Sequence, residues 1–135
     1  MGPRFLLDTN VLIYLRSKKP EKVEQRVLSL IPGEAALSVI TFGELLYGAT
    51  KAPKPDEALE HLRQFTEFLP VLELPTSAGE EYGTIRAELE SKGQVIGGND
   101  LWIAAHAKAA GLTLVTNNER EFRRVRGLKV ENWAR

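Results

Sequence analysis

Acidic and amide side chains recur in this chain where one residue pattern gives way to another. Asp8 ends the apolar run Phe5-Leu6-Leu7 and is followed by Thr9-Asn10 and a second apolar stretch, Val11 to Leu15. Glu44 closes Thr41-Phe42-Gly43-Glu44, Asp100 follows Gly97-Gly98-Asn99, and Asn118 closes Thr116-Asn117-Asn118 just ahead of Glu119 and Glu121. Carboxylates held close together repel one another, and the usual compensation is a hard divalent cation with oxygen ligands. Magnesium, or manganese in its place, keeps several waters and leaves room for phosphate oxygens. Beside a phosphodiester such an ion polarises the phosphate and activates a water. Acyl transfer would instead call for a nucleophile with a paired base, so this set of side chains favours phosphoryl chemistry.

Each residue also has a bland account. Asp8, Thr9 and Asn10 are all good helix N-caps. Thr41-x-x-Glu44 fits a capping box, in which the glutamate reaches back to the first amide of its helix, and taken alone Glu44 reads better as a cap than as a catalyst. Asp100 resists that explanation, because Ile103, Ala104, Ala107 and Ala110 follow it at helical spacing and place it at the head of the apolar, inward-facing stripe. Serine or threonine would cap as well, so capping leaves the excess of carboxylates unexplained.

The elements that must hold these residues follow from periodicity. Phe5 to Leu7 reads as a buried strand handing over to a helix. A helix from Glu21 to Ile31, stopped by Pro32-Gly33, precedes a second strand from Ala35 to Ile40. Thr41 opens the next helix, Asp56 to Leu69 forms an amphipathic one, and Val71 to Leu74 a third strand. A helix then runs to Lys92, closed by Gly93, and another from Asp100 to Ala110, with Asn99 as N-cap and Gly111 beyond its end. Thr113 to Val115 and Leu128 to Val130 supply the fourth and fifth strands, with a short helical turn at Glu119 to Phe122 between them. Alternating strands and helices imply a parallel sheet with right-handed crossovers. Helices then run antiparallel to strands, which brings every helix N-terminus to the strands' carboxyl edge. Asp8 and Asn118 end strands while Glu44 and Asp100 begin helices, so all of them face the edge where open α/β sheets bind ligands.

The 135 residues suffice for one domain, 1–135, with an ordinary core. Eighteen basic residues balance eighteen acidic ones, which excludes a global polycationic coat for nucleic acid or a membrane surface. Cysteine is absent and His61 and His106 are the only histidines, so disulfides, thiolate chemistry and structural zinc are not expected. No leader pattern and no membrane-length apolar run occur, which makes the cytoplasm the expected location. Between Asn117 and Arg135, Arg120, Arg123, Arg124, Arg126, Lys129 and Arg135 outnumber Glu119, Glu121 and Glu131. This local excess is either a solvated face or a rim that tracks phosphates. Trp133 reads as a plug for the floor of the core, and His106, off the Asp100 stripe, as a surface or core-network residue instead of a base. The stripe from Leu59 to Leu69 is core, or an interface with a partner.

Taken together, Leu6-Leu7-Asp8-Thr9-Asn10, Ser38-Val39-Ile40-Thr41-Phe42-Gly43-Glu44-Leu45, Ile96-Gly97-Gly98-Asn99-Asp100-Leu101-Trp102-Ile103-Ala104-Ala105-His106-Ala107 and Val115-Thr116-Asn117-Asn118 with Glu121-Phe122 resemble the successive blocks of PIN-domain ribonucleases. The chain is most similar to the small VapC-type toxins of toxin–antitoxin pairs. The resemblance implies a three-layer α/β/α domain with a five-stranded parallel sheet in the order 3-2-1-4-5. It also implies Asp8 and Asp100 as the main magnesium ligands, with Glu44 as the third carboxylate. Many members carry a fourth acid where this chain has Asn118, which is then expected to orient a water or a metal-bound ligand. Glu121 is the first candidate for the missing charge and Glu119 the second, and one firmly held ion is expected in preference to two.

The expectation is therefore a magnesium-dependent endoribonuclease that cuts structured RNA, with tRNA the substrate class implied by the resemblance. In-line attack by an activated water would leave a 5′-phosphate and a 3′-hydroxyl, with Glu44 or Glu121 orienting or deprotonating that water. The same resemblance implies a cognate antitoxin and a homodimer. The alternative is a catalytically impaired RNA- or protein-binding module, suggested by Asn118. A phosphoacceptor domain would also place an aspartate after its first strand, but haloacid-type enzymes need a second aspartate where this chain has Asn10.

Overall fold

In the computed structural model, which describes residues 2–135, the chain alternates strands and helices from end to end. β1 (Phe5–Leu7) leads to α1 (Thr9–Ser17) and α2 (Glu21–Leu28), and β2 (Ala35–Ser38) to α3 (Val39–Thr50) and α4 (Pro55–Phe68). β3 (Val71–Leu72) leads to α5 (Ser77–Ser91) and α6 (Gly98–Ala110), followed by β4 (Thr113–Val115), α7 (Glu119–Phe122) and β5 (Val130–Glu131). The strands form one sheet in the order β3-β2-β1-β4-β5, and every pairing is parallel. Fold class and strand order agree with expectation.

β1 lies at the centre, and its alternating side chains divide the core. Leu6 faces a cluster with Ala78, Ile85, Leu89, Ile103, Leu114 and Phe122, which seats α5 and α6 on one side of the sheet. Phe5 and Leu7 face the other side, where Val11, Leu12, Val23, Val27, Leu37 and Leu69 bring in α1, α2 and α4. All three β1 residues are buried, and each large apolar side chain so buried contributes about 1.5–3 kcal/mol, which explains the uninterrupted apolar run in the sequence. Helix ends follow turn chemistry. Gly111 adopts φ 69° and donates its N–H back to Ala107 and Lys108, a left-handed conformation that suits glycine.

Several boundaries differ from expectation for identifiable reasons. β2 stops at Ser38, whose Oγ accepts the Ile40 N–H at 3.1 Å and starts α3 two residues earlier than the β-branched Val39-Ile40 implied. Thr41 is therefore inside the helix, and the capping box is not formed. α6 begins at Gly98 after an extended Gly97, so Asn99 is a first-turn residue and not the N-cap. β3 ends at Leu72, and β5 falls on Val130–Glu131 because Leu114 and Val115 pair with those residues. On α4, Leu62 and Leu69 are buried and Leu59, Phe65 and Phe68 half-buried, so most of that stripe turns inward. Trp133 is half-buried against Phe5, edge to face with ring centroids 5.0 Å apart, and Arg26 covers its face at 4.8 Å.

Candidate active site

Asp8 sits where β1 becomes α1, buried to 5% exposure, and three neighbouring donors are aimed at its carboxylate. Oδ1 accepts the Thr9 N–H at 2.8 Å, and Oδ2 accepts the Thr116 hydroxyl at 2.8 Å and the Asn10 amide at 3.5 Å. Thr116 in turn accepts the Asn118 N–H at 2.9 Å, and Asn117 N–H reaches Asn10 at 3.2 Å. The β4–α7 turn is thus tied to the β1–α1 turn, and the tie runs through the carboxylate.

Glu44 joins from α3, accepting the Thr9 hydroxyl at 3.0 Å. This bond replaces the backbone cap suggested by Thr41-x-x-Glu44. Asp100, in the first turn of α6, is half-buried, and its pKa is pushed up to about 6. Burial is the largest cause, followed by the negative charges of Asp8, Glu121 and Glu44. Burial likewise raises the Asp8 carboxyl, against the lowering effect of Thr116 and Thr9, and Glu44 adds repulsion. Residues from β1, α3, α6 and α7 therefore share one electrostatic environment.

Among the described residues, Asp8, Glu44, Asp100 and Glu121 take part in no ion pair, while other acids on the molecule do. Glu119 illustrates the contrast: it binds Arg123 and Arg135, each at 2.9 Å, and the Asn132 amide at 3.0 Å. The negative charge at the sheet's carboxyl edge thus has no basic partner of its own. The profile of the PIN domain matches residues 5–128. Over 97% of its length the chain is 41% identical to the tRNA(fMet)-specific endonuclease VapC of Shigella flexneri, covering 98% of that protein. It is 40% identical to ribonuclease VapC2 of Haemophilus influenzae, again over 97% of this chain and 98% of that one. The chain belongs to the PIN-domain family, among its VapC ribonucleases.

Solved VapC structures agree. The DNA-bound VapBC of Salmonella typhimurium superposes with a TM-score of 0.91 at 42% identity, over 97% of this chain and 98% of that chain. VapBC2 of Rickettsia felis, bound to a DNA fragment of its promoter, gives 0.88 at 39% identity, over 96% and 98%.

Within this VapC fold the donor set suits magnesium. Among the described residues no three acidic or imidazole side chains close into a ready coordination cage. Magnesium needs none, since it is commonly held by one or two carboxylates and completes its shell with waters and substrate phosphates. Calcium takes about six to eight oxygen ligands, and a cluster of a few carboxylates supplies a smaller share of those than of magnesium's octahedral shell. Asn118, half-buried, contributes its backbone N–H to Thr116 and no charge. His106 is 1% exposed and hydrogen-bonded to Ser38, which makes it a core-network residue. The sequence pointed to Thr9 only as a helix cap and gave Thr116 no part in the site, although both lie inside the blocks that carry the family resemblance. Their one signal was a hydroxyl just past the strand end in each case, Thr9 following Asp8 and Thr116 following Val115.

Proposed function

We propose that this chain is a magnesium-dependent endoribonuclease toxin that cuts tRNA and is held in check by a cognate antitoxin. The observation that carries this reading is the unpaired negative cluster: Asp100 feels Asp8, Glu121 and Glu44, and none of these acids has a basic partner among the described residues. A magnesium ion there would supply charge compensation, polarise the scissile phosphate and make a ligated water more acidic. Asp8 and Asp100 would hold the ion, with Glu44 nearby as the third carboxylate. Thr116 and the Thr9 amide keep the Asp8 oxygens oriented, and Thr9 aims Glu44. Glu44 or Glu121 orients the attacking water and takes its proton. The products are a 5′-phosphate and a 3′-hydroxyl. Manganese, which favours the same oxygen ligands, substitutes for it.

The naming of a close relative for tRNA(fMet) makes initiator tRNA the first substrate to try. Relatives solved as VapBC assemblies support an antitoxin partner. An open cleft of about 310 Å³ between α1, α3 and α4, lined by Leu12, Leu45, Leu62 and Phe65 and reaching Glu44, offers that partner a seat. A homodimer and a cytoplasmic location complete the proposal. Among the described residues no helix is long and apolar enough to cross a membrane.

Incubation of the purified protein with initiator tRNA, in magnesium or in EDTA, tests this reading, with 5′-end sequencing of the fragments. Cleavage that needs magnesium and vanishes in Asp8→Asn is expected. Intact RNA under every condition, with an Asp8→Asn variant indistinguishable from wild type in cells, would overturn it. The second reading, an impaired binding module, draws on the uncharged Asn118. It requires that magnesium give no thermal stabilisation.

A further inference from the structure

Ser38 and His106 are both buried, at 0% and 1% exposure, and the ring Nδ1 lies 2.8 Å from the serine Oγ across 68 residues of sequence. Neither touches the carboxylate cluster among the hydrogen bonds described, yet each stands on an element that carries one of its acids. Ser38 ends β2 and caps α3, the helix of Glu44, while His106 lies on α6, the helix of Asp100. We infer that Ser38 and His106 form a positioning pair that sets the register of α6 against the β2–α3 junction and so fixes Asp100 relative to Glu44. The inference rests on the ion-binding reading above.

The physical case starts from helix geometry. A helix that slides by one residue moves about 1.5 Å along its axis, whereas useful metal–ligand distances tolerate about 0.2 Å. Apolar contacts between α6 and its neighbours are non-directional, and of its buried apolar side chains only Leu101 and Ile103 are large, while Ala104, Ala105 and Ala107 offer little to interlock against axial sliding. A hydrogen bond with a 2.8 Å optimum resists it well. The serine oxygen is fixed at its other side by the Ile40 N–H, so the reference point for His106 is itself anchored to the start of α3. Burial lowers the His106 pKa, which keeps the ring neutral and able to share a proton with the hydroxyl. A buried polar pair offers little net stability over well-packed apolar substitutes. Its energetic cost therefore points to alignment as its use.

The test uses the full chain with magnesium alone as probe, reading the half-saturating concentration from thermal stabilisation, together with kcat and KM on initiator tRNA. His106→Phe keeps a ring and leaves the Ser38 cap intact. It is expected to raise half-saturating magnesium about tenfold, in line with the loss of residues that orient metal ligands, and to lower kcat with KM unchanged. His106→Asn places an amide near the former Nδ1 and should restore most of the loss, while His106→Gln, with its amide one carbon further out, should not. Combining Ser38→Ala with His106→Phe should weaken magnesium binding no further than the worse single change. If His106→Phe binds magnesium like wild type, or all three His106 variants are equally impaired, or the two changes add fully, the positioning role is wrong while the ion site stands. A wild-type protein that magnesium does not stabilise overturns the ion-binding reading, and the inference goes with it.

Discussion

Thr9 donates its hydroxyl to Glu44 at 3.0 Å while its amide serves Asp8 at 2.8 Å, so one residue at the start of α1 holds acids from two different elements. Only the hydroxyl contact can be removed by mutation. Thr9→Val keeps the shape and the backbone bond to Asp8 but releases Glu44. The expected outcome is a roughly tenfold slower cleavage step, ~1.4 kcal/mol of barrier, with little change in melting temperature. Single-turnover cleavage at saturating protein measures it, and an unchanged rate would show that Glu44 is aimed by something else.

Asp100, with its pKa pushed up to about 6 from 3.8, makes the metal-free protein sensitive to pH in a direction that can be worked out. Between those values the folded state holds a proton that the unfolded state has lost, so stability falls as pH rises through this window. Repulsion from Asp8, Glu121 and Glu44 is then fully present at neutral pH. Asp100→Asn should abolish cleavage yet stabilise the metal-free protein at pH 7.5 by on the order of 1 kcal/mol, a figure already discounted for the half-exposed site. His106 acts in the opposite sense, since its lowered pKa costs stability as pH falls below 6.5. Denaturant melts of wild type and Asp100→Asn from pH 4 to 8 separate the two contributions. Parallel curves for the two proteins would mean that Asp100 is not electrostatically strained.

What the sequence disclosed, and what it hid, follows from the range of the interactions involved. The parallel sheet and the gathering of Asp8, Glu44 and Asp100 at one edge follow from alternation and handedness, which are properties of the whole pattern, whereas the strand order was implied only by the resemblance to PIN-domain ribonucleases. Local competitions were harder to read. Val39 and Ile40 have strong strand character, and only the Ser38 side chain, by capping Ile40, decides that the helix has already begun. Glu44 had a satisfactory partner three positions away on paper, but its real partner, Thr9, lies 35 residues back. Long-range hydroxyl contacts such as Thr116 to Asp8 leave no periodicity to detect.

The separation of Glu119 from Glu121 gives a paired prediction. Glu119 is committed to Arg123, Arg135 and Asn132 and depressed in pKa by them, whereas Glu121 raises the pKa of Asp100. Glu119→Gln should loosen the C-terminal segment and lower the melting temperature slightly while leaving cleavage within about twofold. Glu121→Gln should do the reverse, relieving repulsion in the metal-free protein and slowing cleavage about a hundredfold, the lower end of what a general base contributes. Melting and cleavage assays on both variants decide it; a Glu119→Gln enzyme that is the slower of the two would transfer the role.

Thr41 supplies the last prediction, because its hydroxyl is buried and has no hydrogen-bond partner among the described residues. As an interior residue of α3 it cannot cap, and the cost of an unpaired buried hydroxyl is about 1–3 kcal/mol. Thr41→Val replaces that hydroxyl with a methyl of similar size at a position where β-branching is already accommodated. The variant should therefore be more stable than wild type by ~1 kcal/mol, with magnesium response and cleavage unchanged, since Glu44 is held by Thr9 and not by Thr41. Urea denaturation reads the difference directly through the midpoint. A less stable variant would show that the hydroxyl has a partner in solution, such as a buried water, and a slower one would give Thr41 a part in placing Glu44.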